Sequence, residues 1–285
     1  MPTEPTHTWK TFDYTVTLKG PGGTIENRYE GGIGSANFNV VPGIWNVTVK
    51  GTNTVETSGS EYFIMGVEQI EIKPNKKYTE PITLYNAYEI KEWGDFNTAN
   101  TLAPGRPMIY LIANDLKADT SVTPDLGREF FLVAEKEVTI KKGSGFNDSF
   151  FTFKPNGSDT VNLGKPGMSG TITFDNENIA IPTAAGLIVV NNSGTLIMHD
   201  GITIRGGNFS SSKGAGIFLN RSCSTSKFIM NGGIITDNHV HGGTTPEGGG
   251  VYLDDDGWER GYFKQNGGTI TGNSPKNIFK GTWIW

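Results

Sequence analysis

The most concentrated acidic group in the sequence is Asp254-Asp255-Asp256, which is followed by Gly257. Several carboxylate oxygens together are the ligands that Ca²⁺ prefers, and two carboxyls about 5–10 Å apart act as acid and base in glycosidases. Neighbouring side chains on an extended strand point to opposite sides, so these three converge only if a loop bends the chain. The group therefore indicates a solvated turn, a calcium site or a catalytic pair, and we favour the turn.

A second group with ligand chemistry is Asp237-x-His239-x-His241. Alternate residues of an extended segment lie on one side, so a carboxylate and two imidazoles would face the same way, as some zinc and nickel sites require. The segment opens a glycine-rich loop, where histidines are usually solvated. A metal site is thus an alternative to an exposed loop, and no cofactor other than calcium or such a metal is indicated.

These groups lie in a stretch of the chain that repeats itself. Phe228 to Asn238 reads FIMNGGIITDN, and Phe263 to Asn273 reads FKQNGGTITGN, which is the same apolar, Asn-Gly-Gly and β-branched pattern 35 residues later. Because a repeat of this length is built here from strands rather than helices, it indicates a solenoid.

A second repeated pattern alternates with the first along the chain. Its three copies are Gly186 to Val190, Gly216 to Asn220 and Gly250 to Asp254. Each coil would then contain one strand of each kind, and equivalent strands would stack at about 4.8 Å. This arrangement predicts a parallel β-helix.

One column of side chains on this second pattern is a candidate binding surface. Strand alternation points Leu187 and Ile217 inward and leaves Ile188, Phe218 and Tyr252 as an outward column. An exposed apolar column of this kind suits a glycan or the apolar surface of a partner. Loops of the same domain could instead cover it, and we favour that interpretation slightly.

The asparagines of the first pattern predict a structural ladder. Asn231 and Asn266 each precede a Gly-Gly pair, so their amides could hydrogen bond from one coil to the next at a corner. His199 occupies the matching place one coil earlier and would end the ladder.

The first 90 residues predict a different structure, a small β-sandwich. Short alternating runs such as Tyr14 to Leu18 and Ile44 to Val49 are separated by turn signals, including Pro42-Gly43. Residues 91–285 would form the β-helix. A short amphipathic helix near residues 88–97 would cover its first coil, because an open end exposes apolar side chains and strand edges.

The overall composition excludes two classes of partner. The formal net charge is −5 without basic clusters, which gives no electrostatic footprint for nucleic acid. No apolar run approaches the roughly 18 residues of a membrane span. The first residues lack the features of a signal peptide, so we expect that any leader is missing from this sequence.

Two stretches resemble modules of bacterial surface proteins. The runs GGGVYLD, FIMNGGIITDN and FKQNGGTITGN look like the right-handed parallel β-helix repeats of autotransporter-type and polymorphic outer-membrane adhesins. The run VPGIWNVTVKG, with a later strand ending in PITLYN, resembles immunoglobulin-like or transthyretin-like accessory modules. The resemblance implies display outside the cytoplasm and binding, and it carries over no catalytic residue.

We therefore expect an all-β chain, a small β-sandwich followed by a short right-handed parallel β-helix, that acts as a non-catalytic, cell-surface or secreted, adhesin-like protein. It would bind a glycan or a host or matrix protein through the flank and loops of the solenoid, as a monomer. A polysaccharide lyase or glycoside hydrolase is the first alternative, since the fold permits one, although no cluster of Asp with Arg or Lys is visible across adjacent coils. A structural spacer is the second.

Overall fold

The computed structural model describes residues 12–32, 34–53, 62–102, 108–124, 129–154, 159–182, 185–191, 194–211, 213–220, 226–242, 246–253 and 262–280. The chain divides into two compact units. One comprises Met1–Tyr88 with Pro166–Met168, and the other comprises Glu89–Lys165 with Ser169–Trp285.

The first unit is built on an antiparallel sheet. Its strands are β1 (Phe12–Gly20), β2 (Gly23–Tyr29), β3 (Gly43–Asn53), β4 (Tyr62–Ile72) and the first four residues of β5 (Tyr85–Ile90), in the order β2-β1-β3-β4-β5. Alternate residues of β1 and β3 are buried, including Trp45, whose indole Nε1 donates a hydrogen bond to the Val41 carbonyl at 2.9 Å. Partly buried side chains of the extended chain that flanks the strands, including Phe38 and Leu84, pack against this core. This small antiparallel β unit is compatible with the predicted sandwich.

A short helix, α1 (Asp95–Leu102), opens the second unit. The Asp95 carboxylate accepts hydrogen bonds from the backbone N–H groups of Lys91 and Glu92, at 2.7 and 2.8 Å. Trp93 and Phe96 are buried and contact the ring of Phe151, with centroids 5.3 and 5.1 Å away. The segment thus covers apolar side chains of the first coils, as the sequence predicts.

The rest of the second unit is a parallel β-solenoid. Its strands are β6 (Met108–Ile112), β7 (Leu116–Ala118), β8 (Glu129–Ala134), β9 (Glu137–Lys142), β10 (Phe151–Phe153), β11 (Thr160–Leu163), β12 (Thr171–Asp175), β13 (Ala180–Ile181), β14 (Gly186–Val190), β15 (Gly194–Met198), β16 (Ile202–Arg205), β17 (Asn208–Phe209), β18 (Lys213–Leu219), β19 (Ser226–Met230), β20 (Ile234–Thr236), β21 (His239–Val240), β22 (Glu247–Leu253), β23 (Tyr262–Gln265), β24 (Thr269–Thr271) and β25 (Lys276–Lys280).

These strands stack into parallel sheets that run along the solenoid. Sheet 1 has the order β6-β8-β11-β15-β19-β23, sheet 2 has β7-β9-β12-β16-β20-β24, and sheet 3 has β10-β14-β18-β22-β25. A small fourth sheet, β13-β17-β21, lies between sheets 2 and 3 in chain order. The predicted all-β class and parallel β-helix are therefore confirmed. Among the described residues, α1 is the one helix, and it is too short to cross a membrane.

The register of sheet 1 follows the repeat read from the sequence. Leu196 pairs with Phe228, which pairs with Phe263 in the next strand. The predicted asparagine ladder also forms, because Asn266 Nδ2 donates to Asn231 Oδ1 at 2.8 Å. His199 Nε2 lies 3.1 Å from Asn162 Oδ1 on the preceding coil.

The predicted register of sheet 3 is wrong at β14. Ile188 pairs with Ile217, and Val189 pairs with Phe218, so the period at this step is 29 residues rather than 30. A one-residue shift exchanges the two faces of a strand. Ile188 therefore belongs to an inward row and is fully buried, and Val189 takes its place in the outward column.

Candidate functional site

The outward column of sheet 3 is a covered stack of side chains. Phe218 is 5% exposed and Tyr252 is 1% exposed. The rings of Phe218, Tyr252 and Phe279 stack with centroids 5.1 and 5.0 Å apart and with interplanar angles of 3°. The Tyr252 hydroxyl donates to a Glu247 carboxylate oxygen at 3.1 Å. This burial agrees with the interpretation in which the domain covers its own column, and Ile188 is not part of it.

The two candidate metal groups have different outcomes. Asp254, Asp255 and Asp256 lie outside the described residues, so calcium binding there stays a prediction. Asp237 has a φ of +53°, in the left-handed region, so the chain is not extended between Asp237 and His239 as the metal hypothesis requires. His239 is half-buried, His241 is exposed, and no three His, Cys, Asp or Glu side chains within the described ranges are grouped to hold a metal ion.

The outer face of sheet 2 is the open face that the sequence did not single out. Strand alternation buries inward residues such as Ile140 and Ile204 and turns two rows outward. The first row reads Thr139, Thr173, Thr203, Ile234 and Thr269. The second row reads Lys117, Lys141, Asp175, Arg205, Thr236 and Thr271.

Two ion pairs occupy one half of this face. Arg205 donates from Nε and Nη2 to Asp175 Oδ2 at 2.9 and 2.7 Å, and Lys141 Nζ contacts Glu177 Oε1 at 2.6 Å. The backbone N–H of Glu177 donates to Asp175 Oδ1 at 2.8 Å, which links the pairs. The four side chains come from three successive coils, so the structure does bring acidic and basic groups of adjacent coils together.

The charged groups of this cluster are held in place by one another. The hydrogen bond from Lys141 to Glu177 raises the pKa of that lysine, so the amine stays protonated at neutral pH. An arginine is always protonated in this range. Both Asp175 oxygens accept hydrogen bonds, from the Glu177 N–H and from Arg205. These bonds fix the positions of the charged groups.

The other half of the face is uncharged. Ile234 is 44% exposed, and its neighbours in the two rows are Thr203, Thr236 and Thr269. These side chains present methyl and hydroxyl groups at a regular spacing of about 4.8 Å between strands. The face therefore offers both apolar contact and hydrogen-bonding groups to a flat partner.

A second asparagine ladder is present that the sequence analysis did not predict. Asn238 is fully buried, accepts from the Gly207 N–H at 3.0 Å, and donates through Nδ2 to Asn273 Oδ1 at 2.9 Å. Its signal was visible in the aligned repeats, where Thr-Asp-Asn at 236–238 matches Thr-Gly-Asn at 271–273. Asp237 and Gly272 both have positive φ, so the shared motif marks a tight corner between sheet 2 and the strand or bridge that follows.

Comparison of the chain with known protein-family models, curated proteins and solved structures gives no match. Three features distinguish the open face of sheet 2 as a candidate site: its in-register rows, its two linked ion pairs and the exposed Ile234.

Proposed function

We propose that this chain is a non-catalytic, adhesin-like binding protein, displayed on the cell surface or secreted, whose binding face is the outer side of sheet 2. The observation that carries the proposal is that sheet 2 presents two in-register rows, one of five and one of six side chains, on an open face, whereas the outward column of sheet 3 is buried. The resemblance of the repeats to those of adhesins supports the same proposal, because it implies that the chain is displayed outside the cytoplasm.

The shape of the face suggests the class of partner. Six strands at about 4.8 Å span roughly 24 Å, and a flat area of this kind suits a protein surface better than a small molecule, which binds in concave pockets. Apolar contact near Ile234 beside ordered ion pairs also matches the apolar centre and polar rim of protein interfaces. A host or matrix protein is thus the proposed partner, and an extended glycan is the competing one.

A binding screen with matched variants tests the proposal. The purified chain would be offered to extracellular matrix proteins and to a glycan array, with and without Ca²⁺. Ile234→Lys places a charge in the uncharged half of the face, and Ile44→Lys is its control, because Ile44 is 57% exposed in the first unit.

The outcomes separate the alternatives. Saturable protein binding that Ile234→Lys weakens at least tenfold and Ile44→Lys leaves unchanged would support the proposal. Glycan binding with the same dependence would keep the face and change the partner. Binding that neither variant affects, or that requires Ca²⁺, would move attention to Asp254, Asp255 and Asp256, and silence in every assay would favour the spacer.

The charged cluster favours a carbohydrate-active enzyme as the second candidate function. Acidic and basic side chains of adjacent coils are grouped there, as is expected of such an enzyme. They are Asp175, Glu177, Lys141 and Arg205. A reducing-end and unsaturated-product assay on acidic and neutral polysaccharides tests it. Cleavage that Arg205→Ala abolishes would establish the enzyme and overturn the non-catalytic proposal.

A further inference from the structure

Three loops of the first unit meet at one end of its antiparallel sheet. Lys19, near the end of β1, pairs with Asn46, near the start of β3. Gly43, the first residue of β3, pairs with Ile72, the last residue of β4. The β1–β2 turn, the entry to β3 and the turn after β4 thus lie at the same end of the sheet. We call this group the apex, and it comprises residues 20–23, 41–44 and 73–77.

Close contacts hold two of these loops together. A Cβ atom on Gly43 would lie 2.5 Å from Pro21 Cγ, so glycine lets the β1–β2 turn pack directly against the start of β3. A Cβ on Gly22 would lie 3.3 Å from Val41 Cγ2. The buried Trp45 also donates from Nε1 to the Val41 carbonyl at 2.9 Å. The shape of this part of the apex is therefore set by packing.

The apex exposes apolar side chains. Val41 is 50% exposed and Ile44 is 57% exposed, which are the two largest values among the large apolar side chains that the structure describes. Pro21 and Pro42 are exposed beside them. The next outward residue of β3 is the polar Asn46. The apolar area is thus small and confined to the loops.

Exposed lysines lie next to this apolar area. Lys73, Lys76 and Lys77 are all exposed on the turn after β4. None of the three lies within ion-pair distance of a carboxylate in the described part of the chain. With Glu71, residues 71–77 carry a net charge of 3 − 1 = +2, within a chain whose formal net charge is −5. In the sequence these lysines form only a short turn, and the fold places that turn beside exposed apolar loops.

This combination matches the surface of an anionic bilayer. Apolar side chains of peripheral proteins enter the boundary between headgroups and acyl chains, and each lysine near an anionic leaflet strengthens binding by about fivefold. A stable protein interface needs about 800 Å² from each partner, whereas the apolar area here ends at Asn46. The apex therefore fits lipid better than a protein surface.

We propose that the apex binds the surface of an anionic phospholipid bilayer, with Val41 and Ile44 at the headgroup boundary and the three lysines against the lipid phosphates. The contact is peripheral, since it uses loops and needs no membrane-spanning segment. It involves other residues than the open face of sheet 2, so either kind of binding can be lost without the other. Because the lysines act through solvent, binding weakens as the salt concentration rises.

Vesicle binding by the full chain tests the proposal. Co-sedimentation is measured with vesicles of equal parts phosphatidylglycerol and phosphatidylcholine, and with vesicles of phosphatidylcholine alone. We expect binding to the anionic vesicles and at least about tenfold weaker binding to the neutral ones. The double variant Lys76→Glu/Lys77→Glu and the single variant Ile44→Ser should each weaken binding to the anionic vesicles by at least about tenfold.

Matched variants of the second unit are the controls. Lys227→Glu/Lys264→Glu makes the same change in net charge at two exposed lysines of the solenoid. Ile234→Ser removes an exposed isoleucine there. Both should bind the anionic vesicles as the wild type does. All the changed side chains are exposed, so each variant should fold, and circular dichroism checks this.

The outcomes decide for or against the lipid surface. Binding to anionic vesicles that falls in the apex variants and not in the controls would support the proposal. No binding to either vesicle, equal binding to both, or an equal loss in apex and control variants would overturn it. Binding to an extracellular matrix protein that Ile44→Ser abolishes, without vesicle binding, would make the apex a protein site and overturn the proposal as well.

Discussion

The upstream and downstream coils of the solenoid are held together by different packing. In the upstream coils, Phe151 packs edge to face against rings of two other elements, Phe96 at 80° and Phe174 at 87°. In the downstream coils, like side chains lie directly above one another, as in the parallel rings of Phe218 and Tyr252. The first kind of packing needs side chains that differ from coil to coil, and the second needs the same side chain at the same place.

This difference explains why the repeat is visible only in part of the sequence. Stacking in register favours a repeated residue type, so the downstream coils keep Asn-Gly-Gly and paired apolar positions. Interlocking packing depends on the shape of a whole cluster, so no single position has to recur. Energetically, the upstream coils should depend on a few large side chains, and the downstream coils on hydrogen-bonded ladders.

The largest effect is expected for Phe151→Ala in the upstream cluster. Phe151 is fully buried and contacts four other aromatic rings, those of Trp93, Phe96, Phe153 and Phe174. Removing a ring from such a site typically costs about 3–5 kcal/mol. Urea unfolding followed by circular dichroism measures the loss. A loss below about 1 kcal/mol is typical of a solvent-exposed residue, and it would contradict the interlocked packing of these coils.

The next effect is expected for Asn238→Ala in the downstream ladder. The variant leaves the buried Gly207 N–H without its acceptor and removes the donor to Asn273, and each unsatisfied buried group costs about 1–3 kcal/mol. Asn266→Ala is the control, because Asn266 is exposed and should cost under about 1 kcal/mol. Equal losses in the two variants, measured by urea unfolding, would show that burial of the ladder does not matter.

A stabilising effect is expected for Lys142→Met in the upstream coils. Burial lowers the pKa of Lys142 from 10.5 to about 8. The folded chain therefore binds fewer protons than the unfolded chain between these values, and its stability should rise with pH across that window, by about 1–3 kcal/mol in total. Thermal unfolding from pH 7 to pH 10.5 should show this rise in the wild type and a flatter curve in Lys142→Met. If stability rose with pH equally in both proteins, Lys142 would not be the cause of the rise.

The smallest effect is expected for Lys141→Met on the outer face of the same coils. Lys141 and Glu177 are each about half exposed, and exposed ion pairs contribute roughly 0–1 kcal/mol. Urea unfolding at low and high salt should differ little between the variant and the wild type. A loss as large as that of Phe151→Ala would mean that surface charge, rather than interlocked rings, holds the upstream coils.

The sequence predicts the periodic parts of the structure well. The β-helix, the pairing of Leu196 with Phe228 and Phe263, and the ladder from Asn231 to Asn266 all follow from residues that recur. The error at Ile188 has the same origin, because aligning Gly186 with Gly216 hides a step that is one residue shorter. A strand of five apolar residues contains no polar position to fix its phase.

The candidate site was harder to predict, because its residues are adjacent only after the coils stack. Lys141, Asp175 and Arg205 are about 30 residues apart in sequence and share no motif. Their register depends on the upstream coils, where the repeat is not visible. The aromatic column was easier to notice, since Phe218 and Tyr252 follow glycines at matching offsets, but its burial comes from packing between coils that the sequence does not place.

The ladder of in-register strands also has a mechanical consequence. In a solenoid each coil contacts only its neighbours, so a force applied at the downstream end should peel away one coil at a time. Each event would release about 35 residues, or roughly 115 Å of extended chain. The interlocked upstream coils should then unfold together. A force–extension trace would therefore show several equal increases in length followed by one larger increase.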